Sequence, residues 1–472
     1  MKISEKLENS ENSENSENNE NNEEEKVEEK IAKPIAIVRD ILKKLDINKE
    51  NSKFPRQVLK RFAHIVEKKV SDPRSQNKIM YPVPYLLLIS FLALLSGAET
   101  WVDIELFAKA ERKTLKRILP KYYGTPSHDT YRRVFGLLAV EELAQTITSF
   151  LVESLQIIKK ALRVKDEGYR LINVDGKEAR STGRKYNSDE KIRNLHTLNI
   201  YDASNAICLN SVPIDSKSNE IPVAERILSQ MQLKNTVVTF DALNTQKKTI
   251  AAICRNNGDY VGGLKGNQHL FYNEVVLYFT DDVLAKIQAK GADFYTYTEK
   301  AHNRIEKRSF YLTKDIKWFT DIDMWANLKS FVCYILQTED LVTGKKTIER
   351  HYYIASLSNV KLVADAIRSH WSIENQLHWH LDANFAEDED STIDKNAFNN
   401  LSIMRKLVLS VCKLVQPTKK HPVGLKSIRK IFGWDLKEQL KLMLGIFDAD
   451  TLREAMLNSV DSVNSVNSVN SV

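Results

Sequence analysis

Cysteine is scarce, and so are long apolar runs. The chain has four cysteines in 472 residues, Cys208, Cys254, Cys333 and Cys412, all far apart and in apolar surroundings. Such spacing provides neither a paired-thiol zinc motif nor a disulfide framework, and it fits a reducing cytosol. The most apolar stretch, "YPVPYLLLISFLALLSGAETW", has a core of about 14 residues between Pro84 and Gly97, short of the roughly 20 that span a bilayer. It is expected to form a buried helix. The first 26 residues, "MKISEKLENSENSENSENNENNEEEK", lack the apolar segment of a signal peptide and are too acidic for a transit peptide. Neither export nor membrane association is expected. The absence of an HExxH motif disfavours a zinc metalloprotease.

The charge is unevenly spread. The formal net charge is +7, but residues 1–30 hold eleven Glu against four Lys, which leaves the remainder at +14. A basic body suits an anionic partner such as nucleic acid, although a solvated lysine-rich surface explains the charge equally well. Both ends are low in complexity, "SENSENSENNENNEEE" and "SVNSVNSVNSV". Their Ser, Asn, Glu and Val triplets cannot bury enough apolar area to offset chain entropy, so residues 1–33 and 458–472 are expected to be disordered tails.

Between the tails the periodicity changes twice. Residues 34–165 repeat apolar side chains at three-to-four spacing, which predicts an all-helical unit, with "PSHDTYRRVFGLL" as a capped helix start. No helix-turn-helix stands out. Residues 166–270 predict strands at "YRLINVDGKEAR", "LHTLNIYDAS", "AICLNSVPI", "TVVTFDA" and "DYVGGLK", with helices in the later gaps. Three strands joined by turns and then alternating helix and strand describe an α/β fold, a mixed sheet flanked by helices compatible with a ribonuclease-H-like core. Residues 271–356 alternate and predict an inserted β-rich unit. Residues 357–457 return to helix.

Two aspartates are placed at strand ends, Asp175 in "INVDGK" and Asp241 in "VTFDAL", 66 residues apart. On neighbouring parallel strands they would lie about 5 Å apart and share a divalent cation. Taken singly, each has an ordinary explanation: Asp before Gly is common in turns, and Asp at a strand end often caps the next helix. A two-metal phosphoryl-transfer site holds ions about 3.5–4 Å apart and needs hard oxygen ligands from several elements. The segment "SHWSIENQLHWHLDANFAEDED", Ser369 to Asp390, can supply the third, because Glu374, His378 and Asp382 follow one helix face at i, i+4, i+8. Trp371 and Leu377 suit packing of that helix on the sheet. The plain alternative pairs Glu374 with Arg368 and leaves His378 as an interface histidine.

These stretches resemble the DDE transposases of bacterial insertion sequences, in the branch that includes the H-repeat-associated proteins. The resemblance runs from about Ser71 to Leu414 through "GTPSHDTYRRVF", "VDGKEAR", "KSNEIP", "TFDALNTQK", "GDYVGGLKGNQ", "HNRIEKR", "YYIASL" and "RSHWSIENQLHWHLDANFAED". It implies a ribonuclease-H-like catalytic core preceded by a helical associated domain, and Mg2+-dependent cleavage and joining of DNA, with Mn2+ able to substitute. Carried over by motif, the acidic triad is Asp175, Asp241 and Glu374, with Asp382, Glu387 and Asp388 as rivals for the third place. The 133 residues between Asp241 and Glu374 accommodate the β-rich insertion. The tryptophans would then anchor the helix. Candidate DNA contacts are Lys177, Arg180, Arg184, Lys185, Lys217, Lys265, Arg304, Arg368, His370 and His378, whereas Glu220 reads as a helix acid favoured by the macrodipole. Asn303 replaces a usual Gly in "HNRIEKR", a position where Asn tolerates positive φ. The expected partners are double-stranded DNA, as inverted repeats and target, and a second copy in the DNA complex; no organic cofactor is expected. Two other classes fit the same acids: a domesticated DNA binder that no longer cuts, and a metal-dependent nuclease without strand transfer.

Overall fold

The computed structural model describes residues 30–45, 56–183, 185–186, 190–191, 194–214, 220–301, 303–416 and 423–457. Of the tails expected at 1–33 and 458–472, residues 1–29 and 458–472 lie outside the described residues, whereas the end of the first is part of the fold: Ile31 and Ala32 are buried, and Ile31 bridges to Tyr169.

The first part is helical: α1 (Pro34–Leu42), α2 (Arg56–Lys69), α3 (Val83–Leu95), α4 (Trp101–Ala110), α5 (Arg112–Ile118), α6 (His128–Leu137) and α7 (Val140–Ala161). The capped start read in "PSHDTYRRVFGLL" is present, and a further cap opens α4. Thr100 Oγ1 accepts from the Asp103 N–H, and Ser127 Oγ accepts from the Thr130 N–H, each satisfying a donor the helix leaves open. Every residue of α3 except Pro84 is buried, because a helix apolar all round has no face for water. Among the described residues no single helix is long and apolar enough to cross a membrane; α6 and α7 pass that test only as a pair bent by 98°.

Nine strands form one sheet. They are β1 (Arg170–Ala179), β2 (Leu195–Asp202), β3 (Ile207–Ile214), β4 (Thr236–Phe240), β5 (Asp259–Leu264), β6 (Phe294–Ala301), β7 (Arg304–Thr313), β8 (Ser330–Asp340) and β9 (Lys346–Ala355), in the order β3-β2-β1-β4-β5-β9-β8-β7-β6. Only β1, β4 and β5 run parallel; every other pairing is antiparallel. Helices α8 (Glu220–Ser229), α9 (Lys247–Arg255), α10 (His269–Tyr278) and α11 (Asp281–Lys290) cover one face. Helix α12 (Val360–Ile373) covers the other and continues through a π-helical turn, Glu374–His378, into α13 (Trp379–Phe385). Helices α14 (Lys395–Val415), α15 (Leu425–Trp434) and α16 (Leu436–Ile446) follow, and the described part ends in a helical segment at 449–457.

Three features differ from the sequence expectations. Residues 271–356 begin with two helices, and their four strands extend the core sheet instead of building their own. Strand β1 does not end at Asp-Gly; it runs on to Ala179, paired with β2. The helices of 34–161 share one hydrophobic core with α14, α15 and α16. Asn303 is at φ 59°, in the β6–β7 turn, where its tolerance for positive φ is used.

Candidate active site

Strand alternation decides which side chains of β1 meet α12. Ile172 and Val174 enter the core under α8 and α9, so Leu171, Asn173 and Asp175 face α12. In β4, Val237 and Thr239 face the same way. Parallel pairing ends at Val174↔Phe240, so Asp175 and Asp241 are the next residues on adjacent strands. The buried Asn173 clamps the helix over this edge: its amide donates to Ser369 O at 2.7 Å and to Ser372 Oγ at 3.1 Å. Its Oδ1 accepts from Thr239 Oγ1 at 2.8 Å, and Thr239 meets His370 Nδ1 at 3.0 Å.

Glu374 opens the π turn that follows. Asp175, Asp241 and Glu374 line one cleft of 310 Å³ together with Gly263, Lys265, His351, Tyr353, His370 and Trp371. A larger cavity of 440 Å³ also touches Trp371 but contains none of the three acids. Beneath Glu374, the buried His378 places Nδ1 3.0 Å from Glu374 Oε2 and 3.8 Å from Asp175 Oδ2. One donor atom from each of Asp175, Glu374 and His378 lies within 4.8 Å of the other two, a spacing that suits a divalent cation.

Electrostatics agree with a cation site. Burial pushes the Asp175 carboxyl up to about 6, opposed by His378 and reinforced by Asp241. Two carboxylates crowded in a partly desolvated edge are relieved by a positive ion. The close approach of His378 holds Glu374 below the usual carboxylate range. Burial lowers His370 to about 4, so it is neutral at pH 7. Under Asp241, a buried chain of partners keeps the loop in place: Asp241 Oδ1 accepts from Asn244 N at 3.0 Å, the Asn244 amide reaches Glu220 Oε2 at 3.2 Å, and Glu220 Oε1 meets His196 Nε2 at 2.8 Å.

Several expected residues take different positions. Lys177 does not face solvent: it is buried, with Nζ 2.6 Å from Asp382, 3.4 Å from Asp388 and 4.0 Å from Glu387. Those three rivals for the third acid are therefore partnered away from the cleft. Glu220 does stand in the first turn of α8, but there it is 2% exposed and bonded to His196 and Asn244. His378 is buried under the acids, and His370 lines the cleft with its Nδ1 against Thr239. Trp371 and Trp379 are 52% and 55% exposed, whereas Leu377 is the anchor at 1%. Lys265 is exposed at the cleft and makes no ion pair among the described residues. Arg180 is 84% exposed beside Asp388, Arg368 pairs with Glu299 at 3.4 Å, and Arg304 approaches Asp340 at 3.8 Å on an outlying hairpin. Arg184, Lys217 and the side chain of Lys185 lie outside the described residues.

The sequence reading missed Asn173, Thr239, Asn244, His196 and the cleft wall from β9. Only Gly176 signals the buried partners: a Cβ there would stand 2.5 Å from Glu220 Oε1 and 2.6 Å from His196 Nε2. Lys413, on α14, was missed as well. It is buried and donates to Gln376 O inside the π turn and to Tyr201 Oη at 3.1 Å.

Comparison with known proteins gives the family. A family model described as "Transposase DDE domain" matches residues 166–411, and one described as "DDE_Tnp_1-associated" matches residues 66–151. The "H repeat-associated putative transposase YhhI" of Escherichia coli K12 is 27% identical over 346 residues, 72% of this chain and 88% of its own. The "Putative transposase YncI" of Escherichia coli O157:H7 is 28% identical over 365 residues, 76% of this chain and 89% of its own. A cryo-EM structure of the piggyBac transposase synaptic complex with hairpin DNA aligns over 91% of this chain and 84% of its own, at 8% identity and a TM-score of 0.32, too loose for any residue assignment. The match over 166–411 spans more than half of the chain, which belongs to the DDE transposase family.

Proposed function

We propose that this transposase cuts the ends of an insertion sequence and joins them to target DNA, with Asp175, Asp241 and Glu374 as its acidic triad. The observation that carries the proposal is that these acids, from β1, the end of β4 and the π turn after α12, line a single cleft with Lys265. The run β1 to β5, an antiparallel meander followed by two parallel strands, fits a ribonuclease-H-like core.

Bound divalent cations, Mg2+ with Mn2+ as a substitute, supply Lewis acidity toward the scissile phosphodiester. Asp175 would be the shared ligand of two such cations, with Asp241 holding one and Glu374 the other. Lys265 and the exposed Arg180 offer positive charge to the flanking phosphates. Asn244 and Glu220 fix the Asp241 loop, and Asn173 fixes the helix that carries Glu374. Hydrolysis breaks a P–O3′ bond and leaves a free 3′-hydroxyl. In strand transfer that oxygen bonds to a target phosphorus as the target's own P–O3′ bond breaks. A homodimer on paired DNA ends, working without an organic cofactor in the bacterial cytosol beside the nucleoid, completes the proposal.

The test is incubation of the protein with Mg2+ and DNA carrying the inverted repeats that flank its gene, beside Asp175→Ala, Asp241→Ala and Glu374→Ala. Nicking and strand transfer lost in all three variants, with DNA binding kept, is the expected result. Binding without cutting under both Mg2+ and Mn2+ overturns the catalytic proposal and leaves a domesticated binder. Cutting without joining leaves a nuclease.

A further inference from the structure

The acids account for the oxygen donors of the cleft and leave His378 unassigned. Its imidazole is 3% exposed, yet it points at the two acids that most resemble one ligand set. Around a six-coordinate ion with bonds of about 2.1 Å, adjacent donors stand about 3.0 Å apart and opposite donors about 4.2 Å apart. The separations from Nδ1 to Glu374 and Asp175, 3.0 Å and 3.8 Å, fall inside that interval.

The second ring nitrogen decides whether Nδ1 has a lone pair to give. Nε2 lies 3.2 Å from Asn199 Nδ2, and Asn199 is fully buried on β2. Asn199 Oδ1 has no hydrogen-bond partner among the described residues. A half turn of this amide exchanges its oxygen and nitrogen, so that Oδ1 accepts from Nε2–H and the Nδ1 lone pair faces the acids. Metal-binding histidines are commonly held in this way, with the far N–H donated to a fixed acceptor.

Resting on the transposase function above, we infer that His378 is a nitrogen ligand of the cation held by Asp175 and Glu374. The two cation positions are then unequal. The one at Asp175 and Asp241 has oxygen donors alone. The one at Asp175, Glu374 and His378 is mixed, and imidazole favours Mn2+ and Co2+ over Mg2+ there. A histidine that merely orients Glu374 would keep its proton on Nδ1 and put no nitrogen on the ion.

The experiment is pulsed electron paramagnetic resonance of Mn2+ bound to the full chain, grown with natural and with 15N-imidazole histidine. The wild-type protein is expected to give a 14N coupling of directly bound imidazole that converts to 15N on labelling, so no variant has to fold for the test to work. His378→Gln should remove the coupling and weaken Mn2+ binding about tenfold or more, with a smaller loss for Mg2+. His370→Gln should keep it. Bound Mn2+ with no nitrogen coupling in the wild type overturns the inference and leaves the triad intact. Mn2+ that fails to bind, or binds equally to Asp175→Asn, overturns both the inference and the cation site it rests on.

Discussion

At the scale of single residues, the acidic end of the opening segment divides into two jobs. Glu374 is 63% exposed in the cleft, whereas Asp382, Glu387 and Asp388 surround Lys177. Spacing on a helix could not separate these four carboxylates; their cationic partners do. Glu374→Gln should therefore abolish cleavage, while Asp382→Asn should retain it, and a nicking assay on both variants decides. Lys177 gives the converse prediction. Its removal takes the cation from Asp382 and Asp388 and leaves the buried Glu387 to Arg405, 4.0 Å away, so Lys177→Met should cost about 3–5 kcal/mol in urea unfolding. The salt dependence of DNA affinity should stay unchanged; a slope lower by about one would make Lys177 a phosphate contact. In the sequence Gly176 reads as part of an ordinary Asp-Gly turn. Its small size serves a close approach by His196 and Glu220, and Gly176→Ala should destabilise by about 1–3 kcal/mol in the same assay.

At the scale of elements, the strands that bear Asp175 and Asp241 were readable because their apolar runs are short and bounded. The parity that turns Asp175 toward α12 was not, since it depends on which face each neighbour covers. The helix carrying Glu374 was also readable, but its tryptophans misled. Residues 371 and 379 share the outward face, and Leu377 with Ile373 makes the buried one. The π turn itself left no mark on the sequence, because its support comes from Lys413 on a distant helix. Burial lowers the Lys413 amine to about 7. Its unfolded value is about 10.4, so between pH 7 and 10 the unfolded chain binds the extra proton. Stability from this group consequently rises with pH across that window, by an amount on the order of a few kcal/mol. In Lys413→Met the rise should disappear. Unfolding free energies at pH 7.5 and 9.5 measure it, and an equal slope in both proteins would place the charge elsewhere.

At the scale of the whole molecule, periodicity revealed that residues 34–165 have an apolar helical face but not what that face meets. The partner is more than two hundred residues away. Phe62 on α2, Leu88 and Phe91 on α3 and Phe150 on α7 face Leu407 and Val411 on α14 and Met443 and Leu444 on α16 across one narrow crevice. Polar groups cross the same boundary. Arg429 donates to Leu94 O and Ala98 O, both at 2.8 Å, and Arg405 donates to Glu99 O at 3.0 Å, which satisfies carbonyls that α3 and its following loop leave open. A fragment ending at residue 165 loses both the apolar cover and these donors. It should fail to unfold as a cooperative unit, with a broad melt by circular dichroism, while the full chain melts its N-terminal and C-terminal helices in one transition. Arg429→Met isolates the polar part: it leaves two buried carbonyls unpaired and should cost about 2–5 kcal/mol. A sharp, reversible melt of the 34–165 fragment would instead make it an independent domain, and Arg429→Met would then lower only a second, separate transition.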